Sequence, residues 1–423
     1  MDFKSLPEGK VTLKNVTVPA CLVGKPGDLV TMDLHLADGK ISDQPGDAVE
    51  MSRAMVLPCF TDMHTHLDKG HIWPRSANPD GTFTGALTAA AIDGAYWTSE
   101  ELYERMTFSL QCAYAHGTRA IRTHLDASPE IDALSWPVFD RLREEWADRI
   151  ALQAVCLTGC DGVTSDGPFR DTANTVARYQ GVLGMVTYAV PAVDERIRTF
   201  LTLARERGLD ADLHVDETMD PDAETLRQIA EIVLETDFPG RVTVGHCCSL
   251  STQDESRALD TLDLVAKAGL HVVSLPLCNH YLQDRNPGRT PRTPRGRGVT
   301  LVHEMRARGI PVSFASDNTR DPFYAYGDLD MVEVMRGATR IAHLDHSRTD
   351  WITSFTTQPA QTCFFAPQSL VVGHPADIVL FRARDWTEFF ARPQSDRIVL
   401  RSGKAIDRTL PDYASLDHLW KTT

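Results

Sequence analysis

The sequence predicts an α/β protein: a (β/α)8 TIM barrel with a small β domain built from the N- and C-terminal segments. Three observations carry this. Eight apolar runs of four to eight residues alternate with helical patterns in the middle of the chain, the texture of parallel strands covered on both faces. Short alternating segments punctuated by turns stand before and after them. Five of the runs become polar at their C-terminal ends, where barrel enzymes carry their chemistry.

In order, residues 1–54 are expected to form the first part of the β domain. Val11-Thr12-Leu13, Leu29–Leu36 and Gly39-Lys40-Ile41 read as strands, separated by turns at Gly24, Pro26-Gly27 and Asp38-Gly39. Residues 55–365 are expected to form the barrel. Its runs are Met55–Phe60, Ala120–Thr123, Ile150–Leu157, Met185–Ala189, Ala211–Val215, Val242–Gly245, His271–Leu277 and Pro311–Ala315. Thr98-Ser99-Glu100-Glu101 is a capping box ahead of Leu102, Met106 and Leu110, with Gly117 as the stop. Asp220-Pro221 reads as a helix start, and 194–207 and 254–268 read as helices. Residues 366–423 return to strands at Ser369–Val372, Asp377–Phe381 and Arg397–Arg401. An open doubly wound sheet is the alternative, but no GxGxxG follows the first run.

Composition narrows the function classes. The chain of 423 residues is 42% hydrophobic and 24% charged, with a net charge of −15. That charge argues against a nucleic-acid partner. No apolar run approaches the length of a membrane span, and the N-terminus has no signal-like core. Nine scattered cysteines without a CxxC fit reduced, buried thiols in a cytoplasmic protein. A homo-oligomer is expected. The basic, Pro-rich stretch 285–297 follows the seventh strand; it is either a solvated loop or a loop over the barrel mouth.

The strand ends carry the chemistry. The first ends in His64 and His66, the second in Thr123-His124-Leu125-Asp126, the fifth in His214-Val215-Asp216-Glu217. The sixth ends in Gly245-His246 and the eighth in Ser316-Asp317-Asn318. His64 and His66, two apart, share one face of a strand. With His214 and Asp317 they make a three-nitrogen, one-oxygen set suited to one Zn²⁺ or Fe²⁺. Such an ion brings the pKa of water from about 15.7 to near 7. Glu217 is then free to move protons, Asp317 to accept one, and His246 to orient the attacking oxygen. His124, Asp126, His280 and Gln283 are secondary candidates, and Lys69 reads more simply as a loop lysine.

These motifs resemble one family. HTHLD, RTHLD, DLHVDE, VGH and SDNTRDPF look like the cytosine deaminase family of the amidohydrolase superfamily. Thr357-Gln358-Pro359-Ala360, Gly373–Leu380 and Arg401–Lys404 are similar to its return into the β domain. The resemblance covers nearly the whole chain. It implies a mononuclear metal deaminase that attacks a small amino-substituted nitrogen heterocycle with metal-activated hydroxide and releases ammonia. It also implies His64, His66, His214 and Asp317 as ligands, Glu217 as proton shuttle and His246 as assistant.

The substrate-reading positions depart from that pattern. Gly159 stands where the family has a ring-holding glutamine, Asn318 where it has a second aspartate, and Phe323 where it has tryptophan. A smaller residue at 159 and a neutral Asn318 are expected to leave room for a ring substituent. Cytosine, 5-methylcytosine, another pyrimidine, a creatinine-like ring and an aminotriazine stay open. A cyclic-amide hydrolase of the same fold is disfavoured, because the fourth strand ends Thr187-Tyr188-Ala189 without a lysine to bridge two metals. A non-catalytic scaffold is disfavoured because Glu217 and the ligand set are all present. The unrelated cytidine deaminase signature, HxE with PCxxC, does not occur.

Overall fold

Strand-forming residues near both ends of the chain meet in one sheet of eight strands. In the computed structural model, which describes residues 6, 9–286, 290, 292–347 and 349–420, seven of them run in the order Lys404–Ala405, Ile398–Arg401, Ile378–Phe381, Met55–Pro58, Val11–Pro19, Leu29–Ala37, Lys40–Ser42. The eighth, Asp47–Glu50, pairs with Val11–Pro19. The turn at Asp38-Gly39 has φ of +51° and +77°. Both central residues are left-handed, the two-residue hairpin geometry that matches strand twist. Leu13, Val16, Val18, Leu57, Val379, Phe381 and Val399 are buried on this sheet.

The run Met55–Phe60 is not one barrel strand, as the sequence suggests. Met55–Pro58 pairs antiparallel with Ile378–Phe381, with Leu57 opposite Val379, while Phe60–Thr65 starts a separate sheet. Pro58 has no N–H to continue the ladder. Past it, the Cys59 N–H donates to the Asp377 carbonyl (2.9 Å) and the Phe60 N–H to Gly117 (3.0 Å), so the chain changes sheets there. Ser369–Val372, expected as a strand, is not one; Val371 and Val372 are exposed. The neighbouring Gly373 N–H donates to Ile41 instead (2.8 Å).

The remaining runs form parallel sheets. One has the order Val312–Phe314, His271–Ser274, Val242–His246, Ala211–Val215, Leu183–Thr187; the other is Phe60–Thr65, Thr118–Asp126, Ala151–Leu157. Leu213, Val244, Val272 and Val312 lie in register across four strands. Isolated parallel bridges join Thr65 to Asp317 and Val155 to Val182. The protein is a mixed α/β fold with parallel sheets. Helices Ser99–His116, Val193–Arg207 and Glu255–Lys267 fall where periodicity places them.

Two boundaries differ for physical reasons. The run His271–Leu277 stops as a strand at Ser274, and a helix Pro276–Leu282 follows with proline in its first turn. Asp220 does not cap a helix; it accepts from the Asp222 N–H in a local turn (3.0 Å). The helix is Thr225–Thr236, and Asp216 reaches its N-terminus, accepting from Thr225 N (3.1 Å) and Leu226 N (3.0 Å).

Residues 1–62, 110–120 and 329–411 form one compact unit, and 63–109, 121–328 and 412–423 another. The sequence boundaries near 54 and 365 do not coincide with this division, since 329–365, with helix Met331–Ala342, goes with the first unit. Only Cys21 of the nine cysteines is exposed. Among the described residues no helix is long and apolar enough to cross a membrane. Of the stretch 285–297, residues 287–289 and 291 lie outside the described residues.

Candidate active site

The two histidines of the first parallel strand sit at its end because Thr65 between them points away, its hydroxyl donating to the Arg122 carbonyl (3.2 Å). His214 comes from a strand held by ladders on both sides. Gly245 faces the His64 ring: a Cβ at 245 stands 3.1 Å from His64 Cε1, tighter than ordinary contact. Asp317 follows its strand and His246 ends its own, with φ of +66° and +68°. These are uncommon for residues other than glycine, and they bend the chain at the strand ends that carry the two side chains.

Their donor atoms converge. His214 Nε2 lies 3.1 Å from His64 Nε2 and 3.3 Å from His66 Nε2. Asp317 Oδ1 is 3.5 Å from His64 Nε2 and 3.2 Å from His66 Nε2. Burial, helped by neighbouring charge, pushes all three histidines well below their usual range, so the rings are neutral and carry lone pairs. Neutral nitrogens this close repel unless something positive lies between them. Ligands at about 2.0–2.1 Å from a zinc ion stand about 3.3 Å apart in a tetrahedron. The residues present therefore fit one small divalent cation.

Glu217 stands beside this set. Its Oε1 accepts from Asn279 Nδ2 (2.9 Å) and lies 3.3 Å from His246 Nδ1. The same Asn279 amide is 2.9 Å from His246 Nδ1. An amide that donates to both makes His246 Nδ1 an acceptor and leaves the ring proton on Nε2, which has no hydrogen-bond partner. Burial, and then the Asp317 charge, holds the Glu217 carboxyl well above the usual carboxylate range. Burial likewise lowers His246 to about 3.

The other sequence candidates divide. The His124 ring lies 4.0 Å from that of His64, and its Nε2 is 3.3 Å from Asp212 Oδ1. Asp212 pairs in turn with buried Arg122 (2.7 Å). His124 thus backs the site and faces a carboxylate. Lys69 is buried and pairs with Asp126. Asn318 Nδ2 donates to Asp321 Oδ2 (2.8 Å), so its amide is already engaged. The Phe323 ring meets Phe83 edge-on at 5.8 Å. Gln283 donates to the Glu217 carbonyl (3.3 Å), and His280 does not line the cavity.

The space expected beside Gly159 is filled. A Cβ at 159 falls 2.4 Å from the Tyr188 hydroxyl and 2.6 Å from Asp161 Oδ1, and those two groups hydrogen-bond to each other. Gly159→Ala is expected to push this pair aside, raising KM several-fold with kcat little changed; steady-state kinetics checks it.

A cavity of about 850 Å³ is lined by His66, His214, Glu217, His246 and Asp317 together with Phe83, Leu87 and Ile131. Pockets of about 300–1,000 Å³ enclose drug-sized molecules. The volume therefore takes more than a single ring. Sequence reasoning missed Asn279, Asp321, Asp161 and Tyr188. Asn279 follows an apolar run that reads on past the strand end, while Asp321 follows the Ser316-Asp317-Asn318 strand end and Tyr188 sits near the end of the fourth run.

A family model described as "Amidohydrolase family" matches residues 160–407. The chain is 52% identical over 432 residues to the pterin deaminase of Rhizobium rhizogenes (strain K84), with 98% of each chain covered. It is 24% identical over 317 residues to the N-isopropylammelide isopropyl amidohydrolase of Pseudomonas sp. (strain ADP), covering 70% of this chain and 71% of that one. Among solved structures, the 5-methylcytosine deaminase from Klebsiella pneumoniae liganded with 5-fluorocytosine aligns with a TM-score of 0.79. That match has 23% identity and covers 96% of this chain and 98% of that one. At that identity the likeness shows the fold alone.

Proposed function

The chain belongs to the amidohydrolase family and is a hydrolase acting on carbon–nitrogen bonds, and on that premise we propose that it deaminates a fused bicyclic ring of the pterin class. The observation that carries the substrate is the 52% identity to a pterin deaminase across 98% of both chains. The cavity volume of about 850 Å³ agrees with a bicycle. A pterin is an aminopyrimidinone fused to a second ring, so this reading differs from a lone pyrimidine by the fused ring.

His64, His66, His214 and Asp317 would hold one divalent metal, Zn²⁺ or Fe²⁺, which when bound would supply an activated water for attack. Glu217 takes a proton from the water and delivers it to the ring. Asn279 holds the Glu217 carboxylate and the His246 ring in one orientation. His246 Nε2–H donates to the oxygen as charge develops on it. The water oxygen bonds to the amino-bearing carbon, one water proton ends on the ring nitrogen and the other on the amino nitrogen, the exocyclic C–N bond breaks, and ammonia leaves. Phe83 and Phe323 offer apolar surface for the ring faces. The eight parallel strands close as a barrel in this reading, with the bridges Thr65–Asp317 and Val155–Val182 as the supporting observation.

The test is ammonia release by metal-loaded protein from pterin, 5-methylcytosine and N-isopropylammelide. Pterin is expected to give the highest kcat/KM. A higher value for 5-methylcytosine, or no release from pterin, overturns the assignment.

A further inference from the structure

The carboxylates lining the cavity are Asp126, Asp161, Asp216, Glu217, Asp220 and Asp317; among its described lining residues the sole lysine or arginine is Lys69. It is 3% exposed. Burying an ammonium costs free energy unless each donor is used, and its partners are few. Asp126 Oδ1 takes one hydrogen bond. His66 Nδ1 lies 3.4 Å from Nζ. With His66 Nε2 directed at the convergent donor set, Nδ1 carries the ring proton and accepts nothing. An ammonium has three N–H groups, and Asp126 takes one of them, on a side chain that lines the cavity. The Phe323 ring centroid, on the wall against which a flat ring would lie, is 6.0 Å from Nζ. A cation placed there is poorly matched to an amino group and well matched to a carbonyl oxygen.

We propose that Lys69 is a specificity-determining residue that donates to an exocyclic carbonyl oxygen of the ring, so that the site selects amino-oxo heterocycles over their diamino counterparts. This rests on the deaminase reading above. A diamino ring brings an N–H donor against the ammonium, leaves buried donors unmet on both sides, and is rejected for that reason. Asp126, held by Lys69 and partly open to the cavity, fixes the ammonium's direction.

The experiment uses the metal-loaded full chain as wild type, Lys69→Met and Lys69→Arg. It measures kcat/KM for pterin, the inhibition constant of 2,4-diaminopteridine, the Kd of lumazine (the dioxo product) and metal content. Wild type is expected to bind the oxo rings at least about 10-fold more tightly than the diamino ring. Lys69→Met is expected to lower kcat/KM for pterin about 100-fold, mainly through KM, to weaken lumazine similarly and to erase the oxo preference, with metal content unchanged. Lys69→Arg should recover part of it. An oxo preference unaltered in Lys69→Met overturns the proposal. So does a wild type that binds 2,4-diaminopteridine as tightly as lumazine, a result that needs no variant to fold. If wild type releases no ammonia from pterin, the deaminase reading fails, while lumazine binding by wild type and variants still decides the role of Lys69.

Discussion

Glu217→Gln is expected to lower kcat by about 10²–10⁴-fold, the usual worth of a positioned proton-transfer group, and to leave metal content and KM near wild type. Glutamine keeps the shape and still meets Asn279, now through an amide that can rotate to present its oxygen. What it loses is the ability to take a proton and return it. The environment is built for that: the carboxyl is buried and held well above its usual range, first by desolvation and then by the Asp317 charge. A bound cation at Asp317 weakens the second cause and leaves the first. The carboxylate form is the one that accepts the proton, so activity is expected to fall as pH drops through the raised pKa, above where an exposed glutamate would set the limb. In Glu217→Gln the residual activity should lack that limb. A variant that keeps wild-type kcat removes Glu217 from the proton path; metal analysis and a pH–rate profile check both points.

Much of this site can be read without coordinates, because the strand ends announce it. An apolar run that turns polar in its last two or three residues is a local signal, and His64, His66, His214, His246 and Asp317 all carry it. The alternation of runs and helical patterns gives the parallel α/β texture for the same reason. What escapes is whatever depends on how two distant segments meet. Met55–Phe60 is uniformly apolar, and its one sign of a break, Pro58, does not say that Phe60 begins another sheet. Asn279 lies in a helix turn after a strand that looks longer than it is, so its bond to Glu217 is visible only in three dimensions. Gly159 is the sharpest case. Read alone, a missing side chain means room, yet Tyr188 and Asp161 fill it from neighbouring segments. Absence of a side chain reports what the backbone tolerates and says little about what occupies the space.

His214→Ala is expected to cost more than any other change at the metal-binding set. His214 Nε2 lies 3.1 Å from His64 Nε2 and 3.3 Å from His66 Nε2. Its strand is locked between two parallel neighbours, so the ring is held in place at the set. Outer residues that merely orient metal ligands are worth about 10–100-fold in metal affinity; loss of this imidazole should exceed 100-fold and take activity with it. A tightly bound ion stabilises the folded state by mass action. Adding Zn²⁺ or Fe²⁺ should therefore raise the thermal midpoint of metal-stripped wild type and leave that of His214→Ala nearly unmoved. His246→Ala separates ligand from bystander: its Nδ1 already faces Asn279 and Glu217, so that variant should keep its metal and its thermal shift while losing turnover. Full metal occupancy in His214→Ala strikes that residue from the ligand set. It then leaves the two triads that share His64, with His66 and His124 or with His246 and His214, reduced to the first.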